Sequence, residues 1–207
     1  MAVSAAAYLL GLGFTVGLSG ALIPGPLLVY TINESLRRGR WTGLKVIFGH
    51  AIVEVIVIAF LALGLAAVIS SKIFTSTVSV LGGLMLVLMG ARSLLAREAA
   101  APYGKKTSYG LVLGGTVFTA VNPSFPLWWA TAGMRLLIEG YTQMGYMGVG
   151  VVVVGHWLAD FGWYVTVSHV TARNAKALFK RGWYTSMRRL LSAALIGIGA
   201  YFIASVL

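Results

Sequence analysis

The chain has 207 residues, 58% of them hydrophobic and 10% charged, with 16 Lys and Arg against 5 Asp and Glu and a net charge of +11. Soluble domains carry about 25% charged residues, so this composition excludes a water-soluble globule, which could not cover itself with polar surface. The absence of cysteine excludes disulfides, thiolate metal sites and thiol relays, and the absence of HExxH, P-loop and GxSxG motifs leaves no enzyme signature and no expected cofactor.

Residues 2–33, 73–91, 107–134 and 190–207 contain no Asp, Glu, Lys or Arg, and about 20 apolar residues span a bilayer as a helix. The N-terminal "MAVSAAAYLLGLGF" has no basic stretch before an apolar run that is too long for a cleavable signal. The pattern predicts an all-α integral membrane protein with six transmembrane helices, over about 4–31, 46–69, 73–91, 108–134, 145–169 and 190–207. The first carries "LIPGPLL", in which Pro24, Gly25 and Pro26 interrupt the helix, because each proline removes an amide donor and clashes with the carbonyl one turn back. The second opens on "GHAIVE", with His50 and Glu54 one turn apart, and the third is glycine-rich. The fourth is interrupted by "AVNPSFPLW", with Asn122, Pro123 and Pro126, and the fifth carries "GHWLAD", with His156 and Asp160. Gly13/Gly17 and Gly110/Gly114 suit close helix packing.

The basic residues follow the connections. The first, third and fifth hold Arg37, Arg38, Arg40 and Lys45, then Arg92, Arg97, Lys105 and Lys106, then Arg173, Lys176, Lys180, Arg181, Arg188 and Arg189, whereas the other two hold only Lys72 and Arg135. The positive-inside rule places the three basic loops in the cytoplasm and both termini outside, in the cytoplasmic (plasma) membrane. The positive charge is thus assigned to topology and lipid headgroups rather than nucleic acid. Trp41, Trp183 and Tyr184 fit an interfacial belt, His169 an interfacial position, and Glu34 a surface ion pair with Arg37 and Arg38.

Gly49-His50-x-x-x-Glu54 recurs as Gly155-His156-x-x-x-Asp160 on the second helix of the second half. Three spans per half force opposite orientations, so the chain reads as one transporter domain, 1–207, built as a 3+3 inverted repeat of about 1–97 and 105–207 with helices 1 and 4 broken. Breaks inside a membrane survive where freed backbone groups face protein or a watery cavity, and paired Gly/Pro interruptions point to a transporter's binding site. A lone carboxylate at mid-membrane costs at least about 2.5 kcal/mol and marks function. The i, i+4 spacing puts each histidine on the face of its carboxylate, where it either orients the carboxylate or relays protons.

"GALIPGPLLVYTINESLRRGRWTGLKVIFGHAIVE", followed by "VLGGLMLVLMGARSLL" and "GLVLGGTVFTAVNPSFPLWW", resembles the LysE/RhtB family of amino-acid exporters. The likeness covers the first two-thirds of the chain and is weaker after residue 140. It implies a six-helix exporter of small amino acids or similar cations, driven by an ion gradient and working as a homodimer, with Pro24, Gly25, Pro26, Glu54, Asn122 and Pro123 at the matching positions. Glu54 stands where the family commonly has Asp, and His50 and His156 are additions.

In the resulting scheme the amide ends around 24–26 and 122–126 bind a substrate carboxylate, while Glu54 and Asp160 take its ammonium group or a proton, assisted by His50 and His156. One rival is a divalent heavy-metal exporter with His50, Glu54, His156 and Asp160 as ligands. Another is a membrane scaffold that transports nothing.

Overall fold

The computed structural model describes residues 2–22, 25–64, 68, 71–95, 110–179 and 183–206. Pro24, Arg97, Lys105, Lys106, Lys180 and Arg181 lie outside these residues, as do the side chains of Lys176, Trp183, Tyr184 and Arg188. The described chain is helical: α1 (Ala2–Ala21), α2 (Pro26–Arg38), α3 (Thr42–Ala62), α4 (Lys72–Leu95), α5 (Leu111–Ala120), α6 (Ser124–Trp128), a π-helical turn (Trp129–Gly133), α7 (Met134–Phe179) and α8 (Trp183–Ala204). Four helical stretches among the described residues are long and apolar enough to cross a membrane: Val3–Ala21, Thr42–Ala62, Lys72–Arg92 and Ser124–Ala175. Leu111–Ala120 and Ser192–Ala204 are shorter apolar helices. The described residues thus form an all-helical structure with several apolar helices of membrane-crossing length.

Both sequence interruptions separate helices. Between α1 and α2, Gly25 is extended (φ −144°, ψ 178°) and Pro26 occupies the first position of α2, where a missing amide removes no helical hydrogen bond. Between α5 and α6, Asn122 accepts the Ser124 amide on Oδ1 at 3.1 Å, and Pro123 precedes the new helix. Pro126 interrupts nothing, because it falls in the first turn of α6, where amides have no intrahelical acceptor.

The residues 135–143, expected as a connection because they carry Arg135 and Glu139, are helical instead. The chain reverses at Met144 and Gly145, the two non-helical residues within α7. Gly145 has φ +61°, a left-handed conformation that costs glycine little. A Cβ on Gly148 would run into the Gly140 carbonyl, so two glycines let the arms touch and a two-residue turn suffices. The first basic connection is also shorter than expected, since α2 runs to Arg38 and α3 starts at Thr42.

Backbone contact at glycines joins the helices in pairs. Gly13 of α1 lies against Val152 and His156 of α7, and Gly155 lies against Leu10. Gly49 of α3 lies against Val112 and Thr116 of α5, and Gly115 lies against Val46. Thr116 adds a hydrogen bond to the Gly49 carbonyl at 3.1 Å. Gly83 of α4 and Gly199 of α8 face each other across the third pair. Gly17 packs on the His156 ring as expected, and Gly114 on the Tyr30 ring, but Gly110 meets nothing. Its placement one residue before α5 explains the difference.

Burial inverts the pattern of a soluble helix. On α3, Val46, Ile47, Glu54 and Leu61 are buried, whereas Phe48, Ile52, Val55, Ile56 and Phe60 are exposed. A helix apolar on both faces suits a protein interior on one side and lipid on the other. Glu34 departs from expectation: its ion pairs with Arg38 (2.6 Å) and Arg37 (3.9 Å) form, but its side chain is buried, not superficial.

Alanine at Gly49 or Gly155 must push two backbones apart, at a cost of about 1–3 kcal/mol for overpacking. The expected outcome is a lower thermal unfolding midpoint in detergent for each, with Gly162→Ala, which faces open space, unchanged or raised. An equal loss at Gly162 would contradict the packing argument.

Candidate functional site

The i, i+4 spacing on α3 brings His50 Nε2 to 3.2 Å from Glu54 Oε1, and the same spacing on α7 brings His156 Nε2 to 3.2 Å from Asp160 Oδ2. The two pairs then meet. His156 Nε2 is 2.8 Å from Glu54 Oε1, and His50 Nε2 is 3.3 Å from Asp160 Oδ2. Each imidazole therefore stands between both carboxylates. Glu54, His156 and Asp160 are buried, and Glu54 is fully so at 0% exposure.

Two tryptophans complete the shell of Glu54. Trp129 Nε1, in the π-helical turn, donates to Oε1 at 3.2 Å, and Trp157 Nε1, on α7, donates to Oε2 at 2.8 Å. An indole N–H can only donate, so both oxygens of Glu54 are held as acceptors. His50 is fixed from its other side. The Thr119 hydroxyl donates to the Gly115 carbonyl at 2.8 Å, so at its 2.9 Å contact with His50 Nδ1 it accepts. Aromatic rings hold both imidazoles: Phe125 meets His50 edge-on at 5.2 Å, and Trp128 stacks on His156 at 5.0 Å. Two buried polar atoms, Asp160 Oδ2 and His156 Nδ1, have no aligned hydrogen-bond partner among the described residues.

These residues border a cavity of about 290 Å³. Of the residues predicted from sequence, Gly25, Pro26, His50, Glu54, Asn122, His156 and Asp160 line it. Pro24 is outside the described residues, and Pro123 is buried and absent from the lining. Asn122 directs its oxygen to the Ser124 amide, so the start of α6 is capped by its own chain. The remaining wall includes Phe125, Trp128, Ile198, Tyr201 and Phe202.

The indoles and Thr119 were not anticipated from sequence. The usable signal was a tryptophan inside an apolar span, since a buried indole N–H needs an acceptor and Glu54 and Asp160 are the acidic residues deepest in the spans. For metal, His50, Glu54 and Asp160 offer ligand atoms within 4.8 Å of one another, a nitrogen–oxygen set that suits a first-row divalent ion. The Thr119 contact to the far nitrogen of His50 would orient such a ligand. Against it, an ion on Glu54 must displace N–H donors already hydrogen-bonded there.

Trp157→Phe leaves a buried carboxylate oxygen without its donor, an effect of about 1–3 kcal/mol. Trp163→Phe removes a similar volume but only an indole N–H that has no partner among the described residues. The unfolding midpoint in detergent is expected to fall further for Trp157→Phe, and equal losses would refute the hydrogen-bond assignment.

A family model for LysE type translocators matches residues 18–206. No curated protein and no solved structure shows significant similarity to the chain. The match extends over both breaks and all four residues of the His–carboxylate cluster, and the chain belongs to the LysE type translocator family, a family of membrane transporters and not of enzymes.

Proposed function

We propose that the chain is a secondary active transporter that exports small amino acids or related cationic metabolites across the cytoplasmic membrane, coupled to protons. The observation that carries this reading is the convergence of His50, Glu54, His156 and Asp160 from two apolar helices on one cavity beside both helix breaks. Ionisable groups buried within a membrane are costly and mark substrate or proton pathways. Six spans in two inverted halves would deliver the two pairs from opposite sides. In support, Gly155 against Leu10 and Gly13 against Val152 are matched by Gly49 against Val112 and Gly115 against Val46. The 52-residue Ser124–Ala175 stretch supplies two of the six spans if it is divided at Met144 and Gly145.

The basic residues support an orientation with both termini outside. Ser168 donates to the Arg40 carbonyl at 2.6 Å, which brings Arg40 near Arg173, and Gly90 packs on Ser192, which brings Arg92 near Arg189. The basic ends of different helices therefore gather as the positive-inside rule requires. In this scheme a proton or a substrate cation occupies the carboxylates, and the halves rock around the site.

Proteoliposomes loaded with an amino-acid mixture and placed in acidic medium are expected to release substrate, and a protonophore is expected to stop the release. Glu54→Gln and Asp160→Asn should each lower the rate at least tenfold; wild-type rates in both variants would sink the proposal. For orientation, the chain has no native cysteine to remove. An impermeant thiol reagent is expected to label Arg40→Cys only from the cytoplasm and Leu63→Cys only from outside, and labelling from one common side would reverse the topology.

A further inference from the structure

We propose that the two carboxylates differ in role: Glu54 is a fixed counter-charge, and Asp160 alone receives the ligand's positive charge. The cavity then selects a zwitterionic amino acid with an uncharged, apolar side chain over a dibasic one. This inference rests on the transport reading above and names the substrate class of the same site.

The asymmetry begins in the sequence. Trp157 follows His156 in the second copy of the motif, whereas Ala51 follows His50 in the first. Trp157 reaches across and donates to Glu54 Oε2 at 2.8 Å. Alanine at 51 has nothing to donate to Asp160. Glu54 Oε1 also receives Trp129 Nε1 at 3.2 Å and His156 Nε2 at 2.8 Å. A ligand cation approaching Glu54 would have to displace indole donors, Trp129 buried and Trp157 partly so, that have no other acceptor among the described residues, which is costly.

Asp160 Oδ2 is the contrary case. It is buried without an aligned partner, on the wall of the cavity. Both imidazoles come within 3.3 Å of it, yet each is committed elsewhere: His156 Nε2 to Glu54, and His50 Nδ1 to Thr119.

Asp160 borders the cavity and its buried Oδ2 has no aligned partner among the described residues, which leaves one carboxylate for one ammonium group. The first turn of α2 borders the same cavity at Gly25, Pro26 and Leu27, where early amides lack intrahelical acceptors and suit the ligand's own carboxylate. A second ammonium or guanidinium, at the end of a dibasic side chain, would lie among Ile198, Tyr201 and Phe202, with no anion there among the described residues. Burying an unpaired charge is prohibitive. An aliphatic side chain gains from the same wall.

The test uses the purified full-length protein in detergent, with leucine, methionine, lysine and arginine as probes in calorimetry and thermal shift. Leucine or methionine is expected to bind at least tenfold more tightly than lysine or arginine. Asp160→Asn is expected to weaken leucine binding at least tenfold without lowering the unfolding midpoint, whereas Trp157→Phe, which frees Glu54 Oε2, lowers the midpoint and narrows the leucine-over-lysine preference. Lysine binding as tightly as leucine overturns the inference while leaving the transport reading intact. So does wild-type leucine affinity in Asp160→Asn. Silence to all four probes, together with inactive proteoliposomes, overturns both. The wild-type comparison of leucine with lysine stands even where a variant does not fold.

Discussion

An ionised carboxylate buried among apolar helices must draw every compensating donor from the protein itself, and Glu54 is where that requirement organises this fold. Its donors come from two segments, Trp129 in the π-helical turn and His156 with Trp157 on α7, while His50 lies 3.2 Å away one turn earlier on its own helix α3. A single side chain thus ties three segments that are far apart in sequence. The helix break at Asn122–Pro123 belongs to the same arrangement, because α5 packs along α3 while the chain after the break turns Trp129 toward Glu54. Gly17 of α1 must stay small, since the imidazole of His156 fills the space a side chain would take.

Around this centre the helices are held by backbone proximity rather than by burial of apolar surface, which gains little when lipid is the alternative. Glycine faces on α1, α3, α4, α5, α7 and α8 bring carbonyls and Cα hydrogens within contact. The outward faces are left to bulky apolar residues such as Phe48, Ile52, Val55 and Leu158. The polar residues that cannot face lipid then have only the interior to occupy. That interior is the cavity at the two breaks, so packing and site follow from one solvent constraint.

Helical periodicity made part of this legible in the sequence. His50 and Glu54, like His156 and Asp160, had to share a face at i, i+4, and Pro26 and Asn122–Pro123 had to interrupt their helices. What periodicity cannot convey is a contact across helices: that His156 lies closer to Glu54 than to its own Asp160, or that Trp157 crosses to Glu54. Tryptophan in an apolar span has the same appearance whether it faces lipid or a buried anion. The charges of Arg135 and Glu139 suggested a loop, yet long charged side chains are tolerated near the end of a span. The turn was written instead in Gly140, Gly145 and Gly148, which only matter once the two arms are in contact. Glu34 was expected at the surface because its partners are arginines, and an ion pair of 2.6 Å is compatible with burial.

A site built from two copies of one motif faces a difficulty that a single-copy site does not. If both carboxylates were equally satisfied by protein donors, nothing would be left for a ligand; if both were open, the empty site would hold two uncompensated buried charges. Among the positions at which the two copies differ, the one that resolves this is Trp157 in one copy against Ala51 in the other. The indole closes the shell of Glu54 and leaves Asp160 Oδ2 without an aligned donor, so the empty cavity keeps one compensated anion and one that a ligand can complete. Binding and release then require changes at only one carboxylate, while the other keeps α3, the π-helical turn and α7 joined. The two copies of the motif bring α3 and α7 to one point, and the difference between the copies gives that point a direction of approach.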